Sequence, residues 1–185
     1  MLLFLKTAFS HIIEPRKKVM KESVQISVKN AISSASAMYS RLILLVGPSG
    51  SGKTRLLQEI SAEFGRNILN VNLEMSKVLL ELPIQRRQSR VQRIFGDIIR
   101  DFLGDEEPQT AIILLDNLEI LFDKDLKQDP LILLQGFSRN LTIIASWNGS
   151  WANKRLTFAK SGHPEYRFYD KIDAQIIEMT KEDEV

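Results

Sequence analysis

The amino-acid sequence predicts an α/β fold, a three-layer α/β/α sandwich around a mainly parallel five-stranded sheet. Short aliphatic runs alternate with helical patterns along the 185 residues, as in chains that connect parallel strands through helices. The first aliphatic run ends in a glycine-rich segment that leads directly into a helical pattern. We expect no helical lid at the C-terminal side, because few residues follow the last predicted strand.

Five predicted strands follow from runs of aliphatic or β-branched residues. A continuous aliphatic run is typical of a strand that is buried on both faces, as in a parallel sheet with helices on each side. The predicted strands cover residues 42–46, 68–73, 111–115, 141–146 and 167–169.

Helical periodicity separates these strands and extends the chain at both ends. The clearest case is 84–103, where apolar residues repeat on one helical face. The other predicted helices cover residues 24–39, 55–64, 76–82 and 130–137. We therefore expect an N-terminal helical extension at 1–40, a core domain at 41–170 and a charged tail at 171–185 that is a short helix or frayed.

The N-terminal segment is predicted to be an amphipathic helix and not a signal peptide. Its positive charges follow the apolar run, whereas a signal peptide carries them before it. The apolar positions are Leu2, Leu5, Phe9, Ile12 and Ile13. No apolar stretch approaches the ~20 residues that span a bilayer, and the absence of cysteine excludes disulfides and thiolate zinc sites. We expect a cytoplasmic protein without a membrane segment.

Residues 47–54, Gly-Pro-Ser-Gly-Ser-Gly-Lys-Thr, match the P-loop pattern in full. The glycines allow a tight turn, consecutive N–H groups bind anions, and the following helix points its positive end at the phosphates. Lys53 is expected to reach the β- and γ-phosphates and Thr54 to bind Mg²⁺. The candidate nucleotide-binding residues are Gly47, Pro48, Ser49, Gly50, Ser51, Gly52, Lys53, Thr54 and Arg55.

Asp116 completes the predicted P-loop NTPase site as a Walker B aspartate. It ends a buried strand about sixty residues after the P-loop, where a carboxylate holds the water shell of Mg²⁺. The predicted metal ligands are therefore Thr54 and Asp116. ATP is favoured over GTP, because residues 153–156 begin like the guanine-reading motif N-K-x-D but lack its aspartate.

The sequence leaves the group that activates water open. Asn117 follows Asp116 and can orient water but is a poor proton acceptor. Glu119 can approach the γ-phosphate if the chain turns after Asp116, and Glu74 after the second strand is an alternative. Asn148 follows the strand expected between the P-loop and Walker B strands, so it is either a polar sensor or a turn residue. The predicted catalytic set is Lys53, Asp116, Glu119 and Asn148.

The order of these motifs resembles the AAA+ and STAND classes of ATPases. Residues 41–169 also resemble the BrxF family, small P-loop proteins of BREX (bacteriophage exclusion) defence systems. The segments that carry this second resemblance are RLILLVGPSGSGKTRLLQEI, NVNLEMSKVLLELP, LLDNLEILFDKDLKQDPLILLQGFSRN, ASWNGS and HPEYRFY. The resemblance implies an accessory ATPase that works with larger BREX proteins, which modify host DNA and block phage replication.

Partner surfaces are predicted from exposed basic and aromatic residues. Arg86, Arg87, Arg90 and Arg93 line the face opposite the apolar stripe of the 84–103 helix, where they can contact DNA or an acidic protein. Assembly on ATP binding would allow an arginine finger from a neighbouring copy, and Trp147 and Trp151 are either packed or free to stack on a partner. The arginine-finger candidates are Arg139, Arg155 and Arg167. A small-molecule kinase and a non-hydrolysing scaffold remain alternatives.

Overall fold

A computed structural model describes residues 24–180, and its centre is a sheet of five parallel strands. The strands are β1 (Leu42–Gly47), β2 (Ile68–Asn70), β3 (Ile112–Asp116), β4 (Thr142–Ala152), β5 (Arg155–Phe158), β6 (Arg167–Tyr169) and β7 (Gln175–Glu178). The α-helices are α1 (24–35), α2 (Lys53–Phe64), α3 (Val71–Leu80), α4 (Ile84–Leu103) and α5 (Pro130–Ser138). The parallel sheet has the order β2-β3-β4-β1-β7.

Strand β1 shows why the fold has three layers, since all six of its residues are buried. Leu42, Leu44 and Val46 face the cluster that includes α3, α4 and α5. Ile43 and Leu45 face the opposite cluster, which includes α1 and α2. Helices therefore cover both faces of the sheet, and the predicted fold class is confirmed. Strand β4 lies between β1 and β3, as the sequence predicted.

Several predicted elements have other boundaries or other partners in the structure. The predicted strand at 68–73 ends at Asn70, whose side chain accepts a hydrogen bond from the backbone N–H of Leu73 and begins α3. Helix α3 therefore starts at Val71 and not at Ser76. Helix α4 has the predicted bounds, and its periodic apolar residues pack against the core.

Strand β4 is longer than the strand predicted at 141–146. Asn148 and Gly149 lie inside it, so of the two roles left open for Asn148 the structure does not support the turn residue. The turn comes at Asn153 and Lys154, which have φ angles of 51° and 59° and connect β4 to antiparallel β5. This left-handed pair is typical of a two-residue hairpin, which explains the accidental likeness to a guanine-reading motif.

The fifth parallel strand is β7, which pairs with β1, and not the predicted strand at 167–169. Arg167–Tyr169 does form a strand, β6, but it pairs antiparallel with β5 outside the parallel sheet. The expectation that the tail from residue 171 is helical or frayed is wrong for Gln175–Glu178, because this segment belongs to the central sheet. Within residues 24–180 no helix follows α5.

The N-terminal extension is described only in part. Residues 24–35 form α1, which is shorter than the predicted helix at 24–39, and Val28 and Ala31 bury it against the sheet. The predicted amphipathic helix at the beginning of the chain lies outside the described residues. None of the helices within residues 24–180 has both the length and the hydrophobicity needed to cross a membrane.

Candidate functional site

The P-loop lies between the end of β1 and the first turn of α2, at the carboxyl edge of the parallel sheet. Gly50 and Gly52 have φ angles of 81° and 86°, a region in which residues with a Cβ atom are strained. Gly52 is the residue directly before α2, and no side chain caps its first turn. The free N–H groups of this turn are therefore available to an anion.

Gly47 is required for a different reason from the other loop glycines. Its φ is not in the left-handed region, but a Cβ atom there would lie 2.2 Å from the carbonyl oxygen of Met179 and 2.6 Å from Ser51 Oγ. The backbone N–H of Met179, directly after β7, donates to Val46 O at 2.6 Å. Gly47 therefore lets β7 dock against the P-loop, a role that the motif alone did not indicate.

Lys53 is buried under the loop, where its ammonium group is bound by the loop itself. Nζ donates to the carbonyl oxygens of Gly47 and Pro48 at 2.8 and 2.7 Å, and to Ser51 Oγ at 3.3 Å. Burial lowers the pKa of Lys53 below its usual 10.5, and the nearby carboxylates of Asp116 and Glu119 oppose this shift. A bound phosphate would replace these carbonyl contacts with a charged partner.

Asp116 ends β3 and is buried beside Ser146 of β4. Its Oδ1 accepts hydrogen bonds from the Ser146 hydroxyl and, at 3.1 Å, from the backbone N–H of Asn117. Among the described residues both of these bonds end on Oδ1, so the donor set leaves Oδ2 for other ligands. Thr54 is exposed at the start of α2. A hydroxyl and a carboxylate are the hard oxygen ligands that Mg²⁺ prefers, so the two residues fit this ion.

Glu119 is held at the same edge of the sheet by two asparagine side chains. Asn148 Nδ2 donates to Glu119 Oε1, and Asn72 Nδ2 donates to Glu119 Oε2 at 3.0 Å. The chain turns after Asp116 because Asn117 has a φ of 57°, a conformation that asparagine tolerates well. The structure therefore brings Glu119 and Asn148 together, and the electric field of Glu119 reaches Lys53.

Asn72 also fixes the backbone of this segment. Its side-chain carbonyl accepts a hydrogen bond from the backbone N–H of Ile120 at 2.7 Å, and the backbone N–H of Asn72 donates to Asn117 O at 2.9 Å. Asn72 and Ser146 were missed by the sequence reasoning. Each lies next to the end of a predicted strand at the site edge, and this position is the only signal that could have found them.

Other predicted site residues lie apart from this cluster. Glu74 is on α3 with its carboxylate 2.7 Å from Lys77 Nζ, and it is not among the carboxylates that act on Lys53. Arg55 is exposed and lies 3.4 Å from Glu59. Arg139 precedes β4, at the sheet edge opposite the P-loop, and its guanidinium lies 4.9 Å from the ring centre of Tyr39.

The two remaining arginine-finger candidates lie in the antiparallel extension. Arg155 is exposed at the start of β5, and Arg167 is half-buried in β6 with NH1 donating to Tyr166 O at 3.1 Å. Trp147 is buried and donates to Thr157 O at 2.7 Å, so it is a core residue and not a stacking platform. Trp151 is half-buried and packs against the same core.

The basic row on α4 is exposed at Arg86, Arg90 and Arg93. Arg87 is half-buried, with Nε donating to Leu82 O at 3.1 Å, and Arg93 lies 3.7 Å from Asp97. The opposite side of α4 is packed into the core. This packing fits a fixed helix better than the mobile lid that a kinase would need.

Comparison with known proteins gives the following matches. A sequence model of the AAA family, described as "ATPase family associated with various cellular activities", matches residues 43–150, a range that contains the P-loop, Asp116, Glu119 and Asn148. A solved structure described as "Structure of C. elegans PCH-2" is similar with 19% sequence identity and a TM-score of 0.45. That similarity covers 86% of this chain and 42% of the longer chain.

Proposed function

Because the chain belongs to the AAA family of ATPases, we propose that it hydrolyses ATP. From its resemblance to the BrxF family, we propose that it does so as an accessory ATPase of a BREX-type anti-phage complex. It is an ATP-binding P-loop protein, and the family to which it belongs typically uses Mg²⁺ and often forms oligomers. The proposal adds three things to this statement: the residues that perform hydrolysis, the biological context and the partners.

The observation that carries hydrolysis is the position of Glu119. Both of its carboxylate oxygens accept hydrogen bonds from asparagine amides, and its negative charge opposes the lowering of the pKa of Lys53. A carboxylate fixed beside the phosphate site can orient a water molecule and accept its proton as the water attacks. Asn148 and Asn72 then act as positioning residues, since both hold this carboxylate.

The remaining site residues have roles that follow from their chemistry. Lys53 and the N–H groups of the loop bind the phosphates, and Thr54 and Asp116 would hold Mg²⁺, which neutralises phosphate charge when bound. Ser146 keeps the Asp116 carboxylate in place through its hydroxyl. Asn117 turns the backbone so that Glu119 reaches the site, and its side chain does not accept a proton.

Hydrolysis is tested by phosphate release from ATP, with the protein alone and with duplex DNA added. We expect Glu119→Gln to lower turnover by about 10²- to 10⁴-fold while ATP still binds. Glu74→Gln is the matched control, because Glu74 is paired with Lys77 away from the site. Lys53→Ala is expected to weaken ATP binding itself. Turnover that survives Glu119→Gln but is lost in Glu74→Gln would reverse the assignment.

The BREX context, a cytoplasmic location and assembly on ATP rest on the family resemblance and remain part of the proposal. DNA contact is supported by the exposed arginines of α4, and it predicts binding that weakens with salt. Replacing Arg86, Arg90 and Arg93 by glutamate should reduce duplex binding and flatten its salt dependence. A matched variant replaces the exposed Lys124, Lys160 and Lys171 by glutamate. Equal losses in both variants would show only a general charge effect.

A further inference from the structure

Met179 directly follows β7 and borders the P-loop on the side of β1 away from β3 and β4. Its N–H donates to Val46 O at 2.6 Å, and its carbonyl oxygen and Cβ lie 2.2 and 3.0 Å from the place where a Gly47 Cβ would be. The backbone of Met179 is therefore fixed relative to the loop. Any movement of one requires a movement of the other.

The side chain of Met179 extends along the loop toward Gly52. Its terminal methyl carbon lies 4.0 Å from the place where a Gly52 Cβ would be, which is ordinary van der Waals contact. The side chain is half-buried and packs partly against the cluster that contains α1 and α2. An unbranched, polarisable thioether thus borders the phosphate loop with part of its surface still accessible.

The strand order gives the bound triphosphate a direction. Asp116 ends β3 and Asn148 lies within β4, and both strands are on one side of β1, so the reacting phosphate must lie on that side. Glu119 is bonded to Asn148 there. Neighbouring strands are about 4.8 Å apart, and β7 is the next strand on the other side of β1. If the γ-phosphate lies toward β3, the nucleoside at the other end of the triphosphate therefore lies toward the end of β7.

We propose that Met179 forms the surface on which the purine base of the bound nucleotide packs. This inference rests on the proposed ATP site and adds the part that recognises the nucleoside. A flat purine gains affinity by covering the thioether of Met179, because the base and the thioether both leave water. The contact has no polar group that reads the base edge, so it favours a purine ring over a bare polyphosphate.

The test compares ATP with inorganic tripolyphosphate, which has the three phosphates without the nucleoside. Calorimetric titrations in the presence of Mg²⁺ would be made with the full chain and with three variants. We expect Met179→Ala to weaken ATP binding about tenfold and tripolyphosphate binding less than about twofold. Met179→Leu should bind both ligands with nearly the same affinity as the unchanged protein. Ile132→Ala, which truncates an exposed side chain of α5, should change the affinity for neither ligand.

The outcomes separate this inference from the proposed function. Unchanged ATP affinity in Met179→Ala would refute the base contact, and an equal loss for both ligands would show that Met179 acts only by supporting the loop. Normal tripolyphosphate binding in the variant demonstrates an intact P-loop, so a folding defect cannot imitate the expected result. Failure of the unchanged protein to bind either ligand would refute the ATP site, and with it the base contact.

Discussion

Replacing Asn72 by alanine should loosen the segment after β3 that carries Glu119. The side chain donates to Glu119 Oε2 at 3.0 Å and accepts from the Ile120 N–H at 2.7 Å, and alanine makes neither bond. A hydrogen bond to a charged group contributes about 1.5–3 kcal/mol and a neutral one about 0.5–1.5 kcal/mol. Because Asn72 and Glu119 are only half-buried, water replaces part of each bond. We expect the free energy of unfolding to fall by about 2 kcal/mol.

Asn70→Ala provides the matched control, two residues earlier in the chain. Its side chain caps α3 by accepting from the Leu73 N–H at 3.0 Å, so its loss costs about 1 kcal/mol without any contact to Glu119. Chemical denaturation measures both stabilities, and phosphate release measures turnover. Asn72→Ala should lower turnover about tenfold or more, while Asn70→Ala should not change it. Equal turnover in the two variants would refute the positioning role of Asn72.

Three further predictions concern close approaches and charge at the site. Gly47→Ala should weaken ATP binding and lower the melting temperature, because its Cβ would lie 2.2 Å from Met179 O; retained affinity in calorimetry would contradict this. Gly149→Ala should destabilise the protein by at least about 2 kcal/mol in denaturation, since its Cβ would lie 1.8 Å from Thr157 O. Burial lowers the pKa of Lys53 and phosphate raises it again, so ATP binding should take up a proton at pH values around the lowered pKa. Titrations in two buffers of different ionisation enthalpy measure this uptake, and affinity should fall as the pH rises through the lowered pKa.

The elements that the sequence predicted well are those whose signal is local. The P-loop is contiguous, so its residues need only the preceding strand and the following helix to form the site. Helix α4 has the predicted bounds because Pro83 precedes it and its apolar residues repeat with the helical period from Val91 to Phe102. In both cases the residues that determine the structure are neighbours in the chain.

The elements that the sequence missed depend on distant partners. Gln175–Glu178 is short and polar at both ends, and it becomes a strand because it pairs with β1, more than a hundred residues earlier. Strand β6 pairs with β5 for a similar reason, although its three residues looked like a member of the parallel sheet. Pairing of this kind leaves no periodic pattern in a three- or four-residue segment.

The choice between an ATPase and a non-hydrolysing scaffold also depends on which residues the fold brings together, and not only on which residues are neighbours in the chain. Read along the chain, Asn117 after Asp116 argues against hydrolysis, because an amide cannot accept the proton of the attacking water. In the structure, the left-handed conformation of Asn117 turns the chain, and Glu119 reaches the site two residues later. The carboxylate that is missing from position 117 is therefore supplied by Glu119, which is bonded to Asn148 and Asn72. If Glu119→Gln left turnover unchanged, this compensation would be refuted, and tight ATP binding without Glu119-dependent turnover would favour the scaffold.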